Sequence, residues 1–248
     1  MPGPVALPRW GFQEHSYRWQ MAGHCTYYYH SAEELTALVD TKTVACAVVI
    51  NPNNPTGEEI ATTLLRDIGL KLAECNGAVI VDEAFIDPIP EHSLAGDNSP
   101  GVVVLRSFGK FFGLAGIRLG FVVADPSLCA RLGDRLDPWA INSPARWIGT
   151  AALADVDWQL RQRHRLNQQI RNWTHTLNDL TPALRWRGCR LFASAHAPLH
   201  QCQIFYEQCA QQGLLVRLID PPVSMANGYL RVGLPGEQFA EASLRLQN

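Results

Sequence analysis

Lys110 stands in the run Ser107-Phe108-Gly109-Lys110, which continues Phe111-Phe112-Gly113-Leu114-Ala115-Gly116-Ile117-Arg118-Leu119-Gly120. A primary amine placed between a hydroxyl and a guanidinium suits one kind of ligand, an aldehyde that carries a phosphate. The amine condenses with the aldehyde as a Schiff base, while Ser107 and Arg118 take the phosphate oxygens.

Two further segments extend this chemistry. Asn51-Pro52-Asn53-Asn54-Pro55-Thr56-Gly57 is turn chemistry throughout, with two prolines and a glycine restricting the backbone. Such a loop makes sense where one side chain must be held rigidly, although the same residues also build ordinary tight turns. Val81-Asp82-Glu83-Ala84-Phe85 puts an acid at the end of an apolar stretch, where a carboxylate is costly without a partner. A protonated ring nitrogen is one such partner; a helix terminus or a salt bridge is another. In the first case Asp82 keeps the proton on the ring, which then draws electrons from a substrate carbanion. Asn54, Asp82 and Lys110 are evenly spaced, 28 residues apart in each interval. The three segments together describe a pocket for pyridoxal 5'-phosphate.

Elements that position these residues are legible around them. Cys46–Ile50 is a short, wholly apolar run, as expected of a strand buried on both faces of a parallel sheet. Ala78–Val81, Val102–Leu105 and Leu119–Ala124 predict three more strands. Between the first two, residues 58–76 carry a helical stripe of Ile60, Leu64, Leu65, Ile68 and Leu72 that stops at Gly77. Ser31-Ala32-Glu33-Glu34 has the hydroxyl and carboxylate spacing of a capping box. The alternation predicts an α/β fold, a mostly parallel sheet sandwiched by helices. After Pro126 the pattern changes. Residues 155–180 predict one long helix with Trp158, Leu166, Ile170, Trp173 and Leu177 on a face. Short strands near 190–194, 214–218 and 229–232, with a helix over 200–212, predict a smaller α+β domain. The expected division is 1–140 and 141–248, with the long linking helix in the second part.

Composition narrows the remaining possibilities. The 248 residues are 47% hydrophobic and 18% charged, with a net charge of −2, so neither nucleic acid nor an anionic membrane is an expected partner. No apolar run reaches the roughly 18 residues of a membrane span, and no signal peptide is visible, so a cytoplasmic location is the expectation. Seven cysteines without a Cys-x-x-Cys pair read as buried free thiols. His196 and His200 are four apart, but Pro198 between them spoils a helical metal pair, and no metal is expected.

On these residues the chain resembles the fold-type I pyridoxal-phosphate enzymes of the class I/II aminotransferase superfamily, over about 47–124 and again near the C-terminus. The resemblance implies that Lys110 carries the cofactor and Asp82 pairs with its pyridine nitrogen. It implies that Asn54 bonds the phenolic oxygen and that Ser107 and Arg118 bind the phosphate. Tyr229-Leu230-Arg231-Val232-Gly233 resembles the segment whose arginine grips the substrate carboxylate, a role that suits a planar two-pronged donor. Gly213-Leu214-Leu215-Val216-Arg217, Phe85 in place of a tyrosine, and the segment Phe12-Gln13-Glu14-His15 with Trp19 and His24 are most similar to the cobalamin-pathway threonine-phosphate decarboxylases. Histidinol-phosphate aminotransferases come next. Arg217 is then a candidate for the substrate phosphate or, with Arg231, the carboxylate. Trp10 and Phe12 are both candidates for the aromatic that stacks on the ring.

The activity implied is decarboxylation of L-threonine O-3-phosphate to aminopropanol phosphate, by a homodimer. An aminotransferase of the histidinol-phosphate type is the alternative. Family members are expected to have roughly another 70–100 residues ahead of the point matching Met1, including a glycine-rich phosphate loop. A truncated start is therefore expected, as is a C-terminus that stops within a last helix. A non-catalytic remnant of the family is the third reading.

Overall fold

The computed structural model describes residues 3–220, 226–235, 241, 245 and 246. The expected last helix at the C-terminus lies outside that description in most of its length. Contacts divide the chain into two units, residues 1–54 with 59–157, and residues 55–58 with 158–248.

The first unit runs β1 (Pro4–Pro8), α1 (Gln13–Met21), β2 (Cys25–Tyr29), α2 (Ala32–Asp40), β3 (Cys46–Ile50), α3 (Thr62–Ala73), β4 (Ala78–Asp82), β5 (Val102–Ser107), β6 (Gly120–Val123), α4 (Pro126–Gly133) and α5 (Ser143–Ala154). Its sheet has the order β2-β1-β3-β4-β5-β6. The first five strands are parallel, and β6 returns antiparallel to β5. Alternate residues serve two cores. Ala47, Val49, Val79 and Val81 meet Leu35 of α2 and Leu65, Ile68 and Leu72 of α3. Val5, Leu7 and Val48 pack with Trp19 of α1 on the opposite face. Both faces are covered, which is why these strands carry no polar alternation.

Helix α3 begins four residues later than the apolar stripe predicts. The Asn51 side chain accepts from Ile60 N at 2.9 Å and donates to Ile60 O at 3.1 Å, holding residue 60 outside the helix. The stripe itself is as expected: Leu65, Ile68 and Leu72 are buried, each contributing about 1.5–3 kcal/mol. At Ser31 the hydroxyl accepts from Glu34 N at 3.3 Å, while the Glu34 carboxylate takes His30 N at 2.7 Å, one residue before the reciprocal partner of a capping box.

Two glycines bring α3 against the start of β5. Gly101 has φ +70°, and a Cβ there would lie 2.1 Å from Gly69 O; a Cβ on Gly69 would lie 2.7 Å from Val102 Cγ2. Gly101→Ala is therefore expected to cost about 1–3 kcal/mol, read from the urea midpoint of unfolding.

The second unit comprises most of α6 (Val156–Leu180), then β7 (Arg187–Cys189), β8 (Phe192–Pro198), α7 (Leu199–Gln211), β9 (Arg217–Ile219) and β10 (Asn227–Gly233). Its four strands form an antiparallel sheet of order β7-β8-β10-β9. Ile170, Trp173 and Leu177 of α6 pack with Phe205 of α7 and Leu230 of β10. The single strand expected at 190–194 is instead a hairpin, because Arg190 takes φ 45° and turns the chain between β7 and β8. The strand expected at 214–218 begins at Arg217, after a turn at Gly213 (φ 69°). Residues 141–157 group with the first unit, where Asn142 donates to Ile117 O at 3.2 Å and Gly149 lies against Leu119.

The thiols differ from the sequence expectation. Cys189, Cys202 and Cys209 are buried, but Cys25 and Cys75 are exposed. Cys25 opens the edge strand β2 and Cys75 follows the end of α3.

Candidate active site

The site lies where β3, β4 and β5 end together. In an open α/β sheet ligands bind beyond these carboxyl ends, because the loops there are free to vary while the strands stay fixed. Asn54 follows β3, Asp82 closes β4, and Ser107 closes β5. The chain then turns through Lys110 and Gly113 and reverses at Arg118 into β6. Arg118 has φ 55°, a left-handed conformation uncommon outside glycine, and its Nη1 donates to Ala115 O at 2.9 Å.

Asn54, Asp82, Ser107, Lys110 and Arg118 line one pocket of about 300 Å³, together with Phe12, Phe85 and Arg106. Phe12 lines it and Trp10 does not. The main-chain oxygen of Trp10 instead accepts from Asn53 Nδ2 at 2.6 Å, tying the loop after β1 to the loop after β3. The Lys110 amine sits 5.4 Å from the centre of the Phe85 ring.

Asp82 is held from two sides. Ala84 N donates to Oδ1 at 3.0 Å, and His15 Nε2 lies 2.8 Å from Oδ2. An ionised carboxylate only accepts, so Nε2 carries the proton. The sequence alone assigns His15 no role. Its one signal in the sequence is its place three residues after Phe12, whose ring centre lies 6.1 Å from that of His15. Its partner is 67 residues away, and only the sheet brings them together. Arg106, which lines the pocket and was given no role from the sequence, contacts Asp87 and Ser93. The neighbouring Glu83 is fully buried; burial pushes its carboxyl up, against the pull of Ser93, the Leu94 N–H and Arg106.

Arg217 and Arg231 lie in the second unit, directly opposite each other on β9 and β10. Both line a pocket of about 560 Å³ with Tyr206 and Asp220. Burial, and then the charge of Arg217, hold the Arg231 guanidinium below its ordinary value. Like charges directly opposite on a sheet destabilise it, and an anion bound between them relieves that cost.

The first pocket fits pyridoxal 5'-phosphate by its donor set. It offers an amine for the aldehyde, a carboxylate for the ring nitrogen, an amide for the phenolic oxygen and an aromatic side chain for the ring face. A hydroxyl and a guanidinium remain for the phosphate. Its volume is at the lower end for small-ligand sites.

Comparison with known proteins gives the same class. Residues 1–240 match the family model "Aminotransferase class I and II", so the chain belongs to that pyridoxal-phosphate-dependent family. It is 38% identical over 237 residues to the threonine-phosphate decarboxylase of Pseudomonas aeruginosa, covering 94% of this chain and 67% of that one. It is 41% identical over 204 residues to the threonine-phosphate decarboxylase of a Sinorhizobium species, covering 79% of this chain and 57% of that one. The chain thus spans between just over half and two thirds of these relatives. Its fold is similar to the histidinol-phosphate aminotransferase of Sinorhizobium meliloti solved with pyridoxal-5'-phosphate. There the TM-score is 0.84 at 20% identity, over 99% of this chain and 70% of that one.

Proposed function

We propose that this protein decarboxylates a phosphorylated amino acid, L-threonine O-3-phosphate, to aminopropanol phosphate, as a step of cobalamin biosynthesis. The observation that carries the reading is the meeting of Lys110, Asp82 and Asn54 in one pocket with Ser107 and Arg118. The threonine-phosphate decarboxylase relatives support the choice of reaction.

In this reading Lys110 holds the aldehyde carbon, Ser107 and Arg118 the phosphate, and Phe12 the ring face. Pyridoxal 5'-phosphate, when bound, supplies an electron sink for the charge left as carbon dioxide departs. Asp82, oriented by His15 and Ala84 N–H, keeps a proton on the ring nitrogen. Phe85 has no hydroxyl to give the phenolic oxygen, which leaves the Asn54 amide as its donor from this chain. The Lys110 amine, or water, would carry a proton to the substrate carbon. The arginine pair of the second unit has the chemistry to bind a substrate's carboxylate and phosphate.

Purified protein incubated with threonine phosphate and cofactor should release carbon dioxide and form aminopropanol phosphate. Keto-acid formation would instead identify an aminotransferase, and a preparation that never develops the visible-edge absorbance of lysine-bound cofactor would identify a non-catalytic family member. Arg231→Lys is expected to raise KM about 10- to 100-fold, since a point charge loses the paired charge-assisted bonds of the guanidinium.

The same reading makes the protein a cytoplasmic homodimer. Among the described residues no helix is long and apolar enough to cross a membrane. Trp139 and Trp147 are 89% and 78% exposed, the kind of surface a second copy would cover.

A further inference from the structure

Two carboxylates lie buried just beyond Asp82: Glu83 has no exposed surface and Asp87 only 6%. Buried acids are costly unless a cation and hydrogen bonds compensate them. Arg106 supplies the cation. Its Nη2 donates to Asp87, its Nη1 donates to Ser93 Oγ at 3.1 Å, and the same nitrogen lies 3.7 Å from Glu83 Oε2. Glu83 accepts in turn from the Ser93 hydroxyl and from Leu94 N at 2.7 Å. Ser93 therefore relays between the two, accepting from the guanidinium and donating to the acid.

The position of this cluster matters more than its charge. The backbone bonds between β4 and β5 end with Glu83 N to Leu105 O at 2.9 Å. Arg106 is the next residue along β5 and lines the same pocket as Asp82, Phe85, Ser107 and Lys110. One guanidinium thus spans from the strand that carries Ser107 to the segment that follows Asp82 and contains Phe85.

We propose that Arg106 is a positioning residue whose guanidinium ties Asp87 and Ser93 to β5, holding Asp82 and Phe85 in place opposite Ser107 and Lys110. The inference rests on the functional reading above for what the pocket binds, but the clamp is a property of the chain itself. A merely stabilising ion cluster is the rival, and the Arg66–Asp97 pair, which joins α3 to the loop before β5, provides its measure.

Arg106→Gln, Arg106→Lys and Arg66→Gln are compared by hydrogen exchange of the cofactor-free protein and by steady-state kinetics of the loaded one. Arg106→Gln is expected to speed exchange over residues 83–94 about tenfold relative to β3, a local opening rather than a global one. It should lower kcat about 10- to 100-fold with KM within about twofold, as a displaced reacting group does. Arg106→Lys should recover part of both effects, keeping the charge without the fork. Exchange raised evenly across the first unit, as for Arg66→Gln, would overturn the proposal, and so would faster exchange at 83–94 with kcat unchanged. Should Arg106→Gln fail to fold, Asp87→Asn weakens the same tie while leaving the Arg106 charge beside Glu83, and is read identically. A wild-type protein that never takes up cofactor would sink the functional reading, and the exchange measurement alone would then decide the clamp.

Discussion

Lys110→Ala should abolish the visible-edge absorbance of bound cofactor and lower kcat by about four orders of magnitude. The first effect follows because no other lysine lines the pocket, so the aldehyde has no amine to condense with. The second follows from the proposed role of the same amine as proton carrier, since losing a positioned general acid costs about 10²–10⁴-fold by itself. The overall fold should survive, since Lys110 is an exposed side chain in a turn and supports no core cluster. A visible band that persists in the alanine variant, with circular dichroism unchanged, would place the cofactor's attachment elsewhere.

Asp82→Asn is the second large effect. The substitution keeps the shape of the side chain and removes its charge, so a proton on the ring nitrogen is no longer held against an anion. Loss of one preorganised electrostatic partner is worth about 2.7–4 kcal/mol, or 10²–10³ in kcat. Lys110 is untouched in this variant, so the absorbance of the lysine-bound cofactor should remain while turnover falls. His15→Gln should act in the same direction but more weakly, because Ala84 N–H still orients the carboxylate. If Asp82→Asn leaves kcat within twofold, the acid serves only the fold, and the pairing with a ring nitrogen is wrong.

Placing Asp82 between His15 and the Ala84 N–H also explains how the cost of an acid at a strand terminus is offset. Its two oxygens have separate donors from separate elements, one from α1 and one from its own following turn. The pocket is therefore built before any ligand arrives, and ligand binding has less side-chain ordering to supply.

Much of the site was legible in the chain because its chemistry is carried by local runs. Lys110 with Ser107 and Arg118, the acid after an apolar strand, and the rigid loop around Asn54 each announce themselves within a dozen residues. The central strands were legible for a related reason, since a strand covered on both faces must be apolar at every position. Strands β1 and β2 were not. Pro4–Pro8 begins and ends in proline, and Cys25–Tyr29 is an edge strand with three tyrosines and partial exposure, so neither shows a buried-strand run. Helix α1 was equally silent, having no buried residue among those described.

Residue types and their order along the chain determined the ligand chemistry, because an amine, an acid and an amide can each be matched to a group regardless of where they sit. The folded sheet alone decided that Phe12 rather than Trp10 faces the pocket, that His15 orients Asp82, and that Arg106 spans two strand ends. Those three facts join positions far apart in the chain, and the contact energies that select them exist only after parallel strands have stacked side by side.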